Sequence, residues 1–152
     1  MDNNDVLRRL RYIFDLADNK MAKIFTLVGA KVSQQEVTCW LKKDDDPLFI
    51  ECPDEQLATF LNGFIVERRG KKEGALPIPE KEVDNNLVLR KLKIAMDYKS
   101  DDMLSTLGLA GLTISEHELS AFFRKAEHRQ HRRCKDQVLR NFLEGLRLKH
   151  RP

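Results

Sequence analysis

The sequence predicts an all-α fold made of two tandem repeats of about four helices each, and three observations predict it. First, residues 2–69 lie on residues 84–151 at a constant offset of 82 without a gap. Asp2-Asn3-Asn4-x-Val6-Leu7-Arg8-x-Leu10 returns as Asp84-Asn85-Asn86-x-Val88-Leu89-Arg90-x-Leu92, and Cys52, Asp54, Leu57, Phe60, Leu61 and Gly63 return as Cys134, Asp136, Leu139, Phe142, Leu143 and Gly145. Such a register marks internal duplication, so each unit is one half of the chain. Second, apolar residues recur at helical spacing and no segment alternates apolar with polar. Third, helix start and stop signals stand between the apolar rows. Units of about 70 residues have thin cores, so the copies are expected to pack together with pseudo-twofold symmetry or to dimerise.

The first helix is expected after Asn3 or Asn4, either of which can accept a bond from the free N–H groups of an opening turn. Val6, Leu7, Leu10, Ile13, Phe14 and Ala17 form its apolar row, with Arg8, Arg11 and Asp15 on the wet side. Arg8-Arg9-x-Arg11 returns as Arg90-Lys91-x-Lys93, and Arg11 with Asp15 and Lys93 with Asp97 are spaced to pair along one helix face. A second helix starts near Asp18 or Asn19 and carries Met21, Ala22, Ile24, Phe25 and Val28 as far as Gly29, a residue suited to ending it. Ser33-Gln34-Gln35-Glu36 is a capping box opening a third helix with Val37, Trp40 and Leu41. The second copy repeats it as Ser115-Glu116-His117-Glu118, followed by Leu119, Phe122 and Phe123. A fourth helix begins at Pro53, whose missing N–H would be unpaired there anyway, and buries Leu57, Phe60, Leu61, Phe64 and Ile65. Its counterpart has Val138, Leu139, Phe142, Leu143 and Leu146. These assignments give a first repeat at 1–70, a Pro/Gly linker at 71–83 and a second repeat at 84–152.

Composition is that of an ordinary soluble globular protein, 41% hydrophobic and 34% charged. No apolar run reaches membrane length and the start is acidic, so a cytoplasmic, non-membrane protein is expected. Three cysteines, Cys39, Cys52 and Cys134, suit a reducing compartment. The net charge of +3 is unevenly shared. Residues 1–70 hold 10 Lys/Arg against 12 Asp/Glu, whereas residues 84–152 hold 14 against 9. Any acidic partner is therefore expected at the second copy.

Several blocks together resemble one known family: Asn3-Asn4-x-Val6-Leu7-Arg8, Trp40-Leu41-Lys42-Lys43-Asp44-Asp45-Asp46, Phe60-Leu61-Asn62-Gly63 with Glu67-Arg68-Arg69-Gly70, and Cys134-x-Asp136-Gln137 with Phe142-Leu143. They closely resemble the YehS-like family of uncharacterised bacterial proteins, over essentially the whole chain. The resemblance implies a small bacterial cytosolic protein made of two copies of a domain of unknown function. It brings no activity, ligand or functional residue.

Candidate chemistry is sparse. Ser33 to Lys43 looks like the recognition helix of a helix-turn-helix unit, although Asp44-Asp45-Asp46 after it would repel phosphates. The equivalent stretch of the second copy is strongly basic, so Arg124, Lys125, Arg129, Arg132, Arg133 and Lys135 are the candidate nucleic-acid-binding residues. His128-x-x-His131-x-x-Cys134 offers weak metal donors, with His117 the only obvious fourth. Asp44-Asp45-Asp46 could hold a hard cation but reads more simply as a solvated turn. Cys52 and Cys134 open the fourth helix of each copy, where the helix dipole would lower a thiol pKa and the adjacent Asp54 and Asp136 would oppose it. No nucleotide, nucleophile-elbow or zinc-protease motif is present, so no catalytic residue or cofactor is expected. The reading that follows is a non-catalytic binding protein engaging a protein partner or itself, with a nucleic-acid-binding regulator as the first alternative and a thiol or metal-dependent enzyme as the second.

Overall fold

A computed structural model describes all residues 1–152 and is entirely helical. It holds α1 (Asn3–Ile13), α2 (Asp18–Thr26), α3 (Gln34–Leu41) and α4 (Asp54–Arg69), then α5 (Asn85–Ala95), α6 (Ser100–Leu109), α7 (Glu116–Ala121) and α8 (Asp136–His150). The chain divides into two compact units, Met1–Val83 and Asp84–Pro152. Segment 71–83 groups with the first unit. Val83 N–H donates to Asp54 Oδ2 at 2.9 Å, and Leu76 comes close to Gly29.

Within each unit the same local devices recur. α1 and α5 are capped by Asp2 and Asp84, whose carboxylates accept from the backbone N–H of Asp5 and Leu87 at 2.8 Å. The expected asparagine caps are thus displaced by one residue, which frees Asn3, Asn4, Asn85 and Asn86 for other bonds. Both helices end at an aspartate in the left-handed region, Asp15 at φ 52° and Asp97 at φ 55°. Leu16 N–H then reaches back to Arg11 O, and Tyr98 N–H to Lys93 O. Asp is among the few non-glycine residues that tolerate this conformation. The side-chain pairs expected along these helices are replaced. Arg11 pairs with Asp18 at 3.1 Å rather than with Asp15, and Lys93 Nζ lies 5.5 Å from the centre of the Phe123 ring. Both capping boxes form as expected at Ser33 and Ser115. Pro53 stands at the N-cap of α4, one position earlier than expected.

The first core gathers Leu7, Leu10, Met21, Ile24, Leu57 and Leu61 around Phe25, Trp40 and Phe60. The Phe25 ring lies 5.6 Å from Trp40 and 5.4 Å from Phe60, centre to centre. In the second unit Leu89, Leu92, Met103, Leu107, Leu119, Leu139, Leu143 and Leu146 do the same work around two buried aromatic rings, Phe122 and Phe142, where the first unit buries four, Phe64 included. In both, the second and fourth helices touch backbone to backbone at a glycine. A Cβ at Gly63 would stand 2.2 Å from Ile24 O, and one at Gly145 would stand 2.0 Å from Thr106 O. The recurrence of Gly63 as Gly145 is therefore a packing requirement.

Gly63→Ala and Gly145→Ala should each lower stability by about 1–3 kcal/mol despite alanine's better helix propensity, because a helix must shift to admit the methyl. Thermal melts of both variants check this, and an unchanged or raised melting temperature would contradict the close approach.

Candidate functional site

The residues singled out from sequence converge on one structural feature, the loop that leaves the third helix of each unit and enters the fourth. α3 ends at Leu41 and α7 at Ala121, so residues 42–53 and 124–135 are both non-helical. Neither loop has a regular backbone ladder, and buried polar backbone without partners is costly. One buried asparagine answers this in each unit. Asn4 Nδ2 donates to Trp40 O and Ile50 O, both at 2.9 Å, and Asn4 Oδ1 accepts from Cys52 N–H at 3.0 Å. Asn86 repeats it, donating to Phe122 O at 3.0 Å and Arg132 O at 2.8 Å and accepting from Cys134 N–H at 2.9 Å. The neighbouring asparagine ties down the end of the loop. Asn3 Nδ2 donates to Cys52 O and Asp54 Oδ1, and Asn85 Nδ2 to Cys134 O and Asp136 Oδ1.

The loop backbones match bond for bond. Asp46 N–H donates to Lys43 O, Phe49 N–H to Asp46 O and Ile50 N–H to Cys39 O. In the second unit His128 N–H donates to Lys125 O, His131 N–H to His128 O and Arg132 N–H to Ala121 O. The surfaces carried on this shared frame are opposed. Residues 42–53 hold two lysines against Asp44, Asp45, Asp46 and Glu51, while residues 124–135 hold six Lys/Arg against Glu127 alone. Leu48 and Ile50, 62% and 51% exposed, sit among the acidic residues; their equivalents are Gln130 and Arg132.

Of the six basic candidates, Lys125, Arg129, Arg132, Arg133 and Lys135 are exposed and Arg124 is half-buried. They lie on the loop and not on a recognition helix. α7 is six residues long and exposes Glu116, His117 and Glu118, a face unsuited to phosphates. The weak metal candidates are not brought together. His131 Nδ1 donates to Arg124 O at 2.9 Å, His128 Nδ1 accepts from Gln130 N–H at 3.0 Å, and Cys134 is buried. No three His, Cys, Asp or Glu side chains anywhere in the chain form a set able to hold a metal ion. In the Asp44-Asp45-Asp46 run, Asp46 Oδ1 accepts from Leu48 N–H at 2.8 Å, as in a simple turn. At one side of the open cleft of about 280 Å³ beside this run, Arg11 and Thr38 both bond to Asp18.

The two repeated thiols are the opposite of reactive. Burial, reinforced by Asp54 and then Asp2, pushes Cys52 up to about 12. Burial, reinforced by Asp84 and Asp136, does the same to Cys134, also to about 12. Desolvation of the thiolate thus outweighs the helix dipole that sequence position suggested. Asn3 and Asn4 are the loop's framework, which sequence reasoning missed. Their return at Asn85 and Asn86 was the available signal.

A family model described as "Protein of unknown function (DUF1456)" matches residues 3–70 and again 85–151. The chain belongs to the DUF1456 family. It is 42% identical over 147 residues to the uncharacterized protein YehS of Escherichia coli (strain K12), covering 96% of this chain and 94% of that one. No solved structure matches. The two DUF1456 matches coincide with the two helix sets, so the Asn-held loop occurs once in each family unit. No helix of the chain is long and apolar enough to cross a membrane.

With Cys52 and Cys134 held protonated by the fold, their contribution to stability is present below about pH 9, the ordinary thiol range, and should fade as pH rises towards 12. A chromogenic disulfide reagent at mildly alkaline pH should accordingly titrate one thiol of the native protein, the half-buried Cys39, and all three in denaturant. Rapid native titration of two or three thiols would contradict the burial.

Proposed function

We propose that this DUF1456 protein is a non-catalytic binding protein that engages a protein partner or itself through the α3–α4 and α7–α8 loops. One observation supports this above others: the two loops keep the same hydrogen-bonded frame while their surfaces differ in charge and polarity. Loops fixed on a rigid scaffold are where binding residues are expected, and a frame common to both loops lets each tip take its own chemistry. Leu48 and Ile50 favour a polypeptide, since an apolar pair rimmed by carboxylates suits protein contact and repels phosphates. The absence of catalysis in this reading rests on side chains already engaged, the protonated buried thiols and the backbone-bonded histidines. A cytoplasmic setting fits the unpaired cysteines.

A second reading has its own observation. Lys125, Arg129, Arg132, Arg133 and Lys135 are exposed on one short loop, which would serve phosphate contact by a nucleic-acid-binding regulator.

One experiment separates the two. A photo-crosslinking residue placed at position 48 or 130 of the full chain in living cells should give protease-sensitive, nuclease-resistant adducts, well above those from exposed position 23 on α2. Adducts from position 130 that nuclease removes, and that vanish with Arg129→Glu/Arg132→Glu/Arg133→Glu, would replace this reading with the nucleic-acid one. Adducts no stronger than at position 23 would refute both.

A further inference from the structure

We infer that the partner is a second copy of this chain, the acidic loop at 42–53 of one molecule docking on the basic loop at 124–135 of another; this rests on reading the loops as polypeptide-binding surfaces. The two surfaces answer each other in kind. Asp44, Asp45 and Glu51 are exposed carboxylates around Leu48 and Ile50. Arg129, Arg132 and Arg133 are exposed guanidiniums on the other frame, at the positions that Pro47, Ile50 and Glu51 hold in the first. Arginine suits both halves of the task, since its aliphatic stem can lie on apolar surface while its planar head pairs with carboxylates. Neither loop is neutralised from within: the basic one has only Glu127 against six cations, and the acidic one has Lys42 and Lys43 against four carboxylates.

Like loops repel and unlike loops attract, so the pairing has a built-in sense. The acidic loop cannot meet its own copy, nor the basic loop its own, which makes the contact heterologous. Repeated between molecules, it closes into a ring or runs on as a chain, and either raises the mass above that of one molecule. Because the charges are exposed, salt should weaken it.

Sedimentation velocity of the full chain at tens of micromolar, in low and in high salt, reads the inference. The wild type should sediment at two or more chain masses in low salt and shift to one in high salt. Asp44→Lys/Asp45→Lys/Glu51→Arg and Arg129→Glu/Arg132→Glu/Arg133→Glu should each be single chains in low salt, and an equimolar mixture of the two should regain the wild-type mass. All altered positions are exposed, helical circular dichroism of each variant confirms folding, and the salt shift of the wild type tests the pairing without any substitution. A wild type that stays at one chain mass overturns the inference, as does association that either reversal leaves intact or that the mixture fails to restore. If the single-chain protein still gives protein crosslinks from position 48 or 130, only the second copy is lost and the binding-protein reading stands; if nuclease removes them, both fail.

Discussion

A chain that leaves one helix and enters another below the surface must find partners for its backbone, and in each repeat one primary amide supplies three. Asn4 and Asn86 each donate twice and accept once, joining the first helix to the end of the third, the later part of the loop and the second residue before the fourth. Few side chains can do this. Aspartate would accept but not donate, serine is too short to span the gap, and an apolar residue would strand two carbonyls and an N–H at about 1–3 kcal/mol for each group left unsatisfied. The position is also fixed from the other side, since Val6, Leu7 and Leu10 on the same helix are locked into the core.

The consequence is a separation between what holds the loop and what the loop displays. The asparagine bonds and the backbone bonds are common to both loops, and at the tip Asp46 and His128 each accept from the N–H two residues on, so different side chains serve the same path. Asp46 becomes His128, Leu48 becomes Gln130 and Glu51 becomes Arg133 on the same frame. The two cysteines belong to the frame and not to the display. Each lends its N–H and carbonyl to an asparagine and hides its sulfur, which is why a residue type often associated with reactivity recurs here without it.

Much of this architecture was legible in the sequence because it is written locally. The repeat register, most of each apolar row and the two capping boxes depend on neighbours within a turn or two and appear in the structure as read, whereas Ala17, expected in the first row, is exposed at the N-cap of α2, and Val28, Phe122 and Phe123 lie just past the ends of their helices. What escaped was set by partners far along the chain. Asn3 and Asn4 read as helix caps because asparagine favours that position, but Asp2 takes the cap and the asparagines reach residues 36 to 51 positions away. Gly63 and Gly145 were visible as a repeated pair, yet only the helix crossing shows that Ile24 and Thr106 carbonyls fill the space a side chain would need. The basic run set beside the helix-turn-helix-like segment lies on a loop, because the chain turns at Phe122 to bring Arg132 N–H back to Ala121 O.

The most direct test of the asparagine-held frame is amide hydrogen exchange of Asn86→Ala, read at Cys134 with Cys52 as the internal reference. The account predicts that in the wild type both amides exchange only through large-scale opening, and that the substitution speeds Cys134 by at least tenfold while Cys52, held by its own asparagine, keeps its protection. A Cys134 amide that stays as protected as in the wild type would contradict the claim that one buried side chain holds the loop.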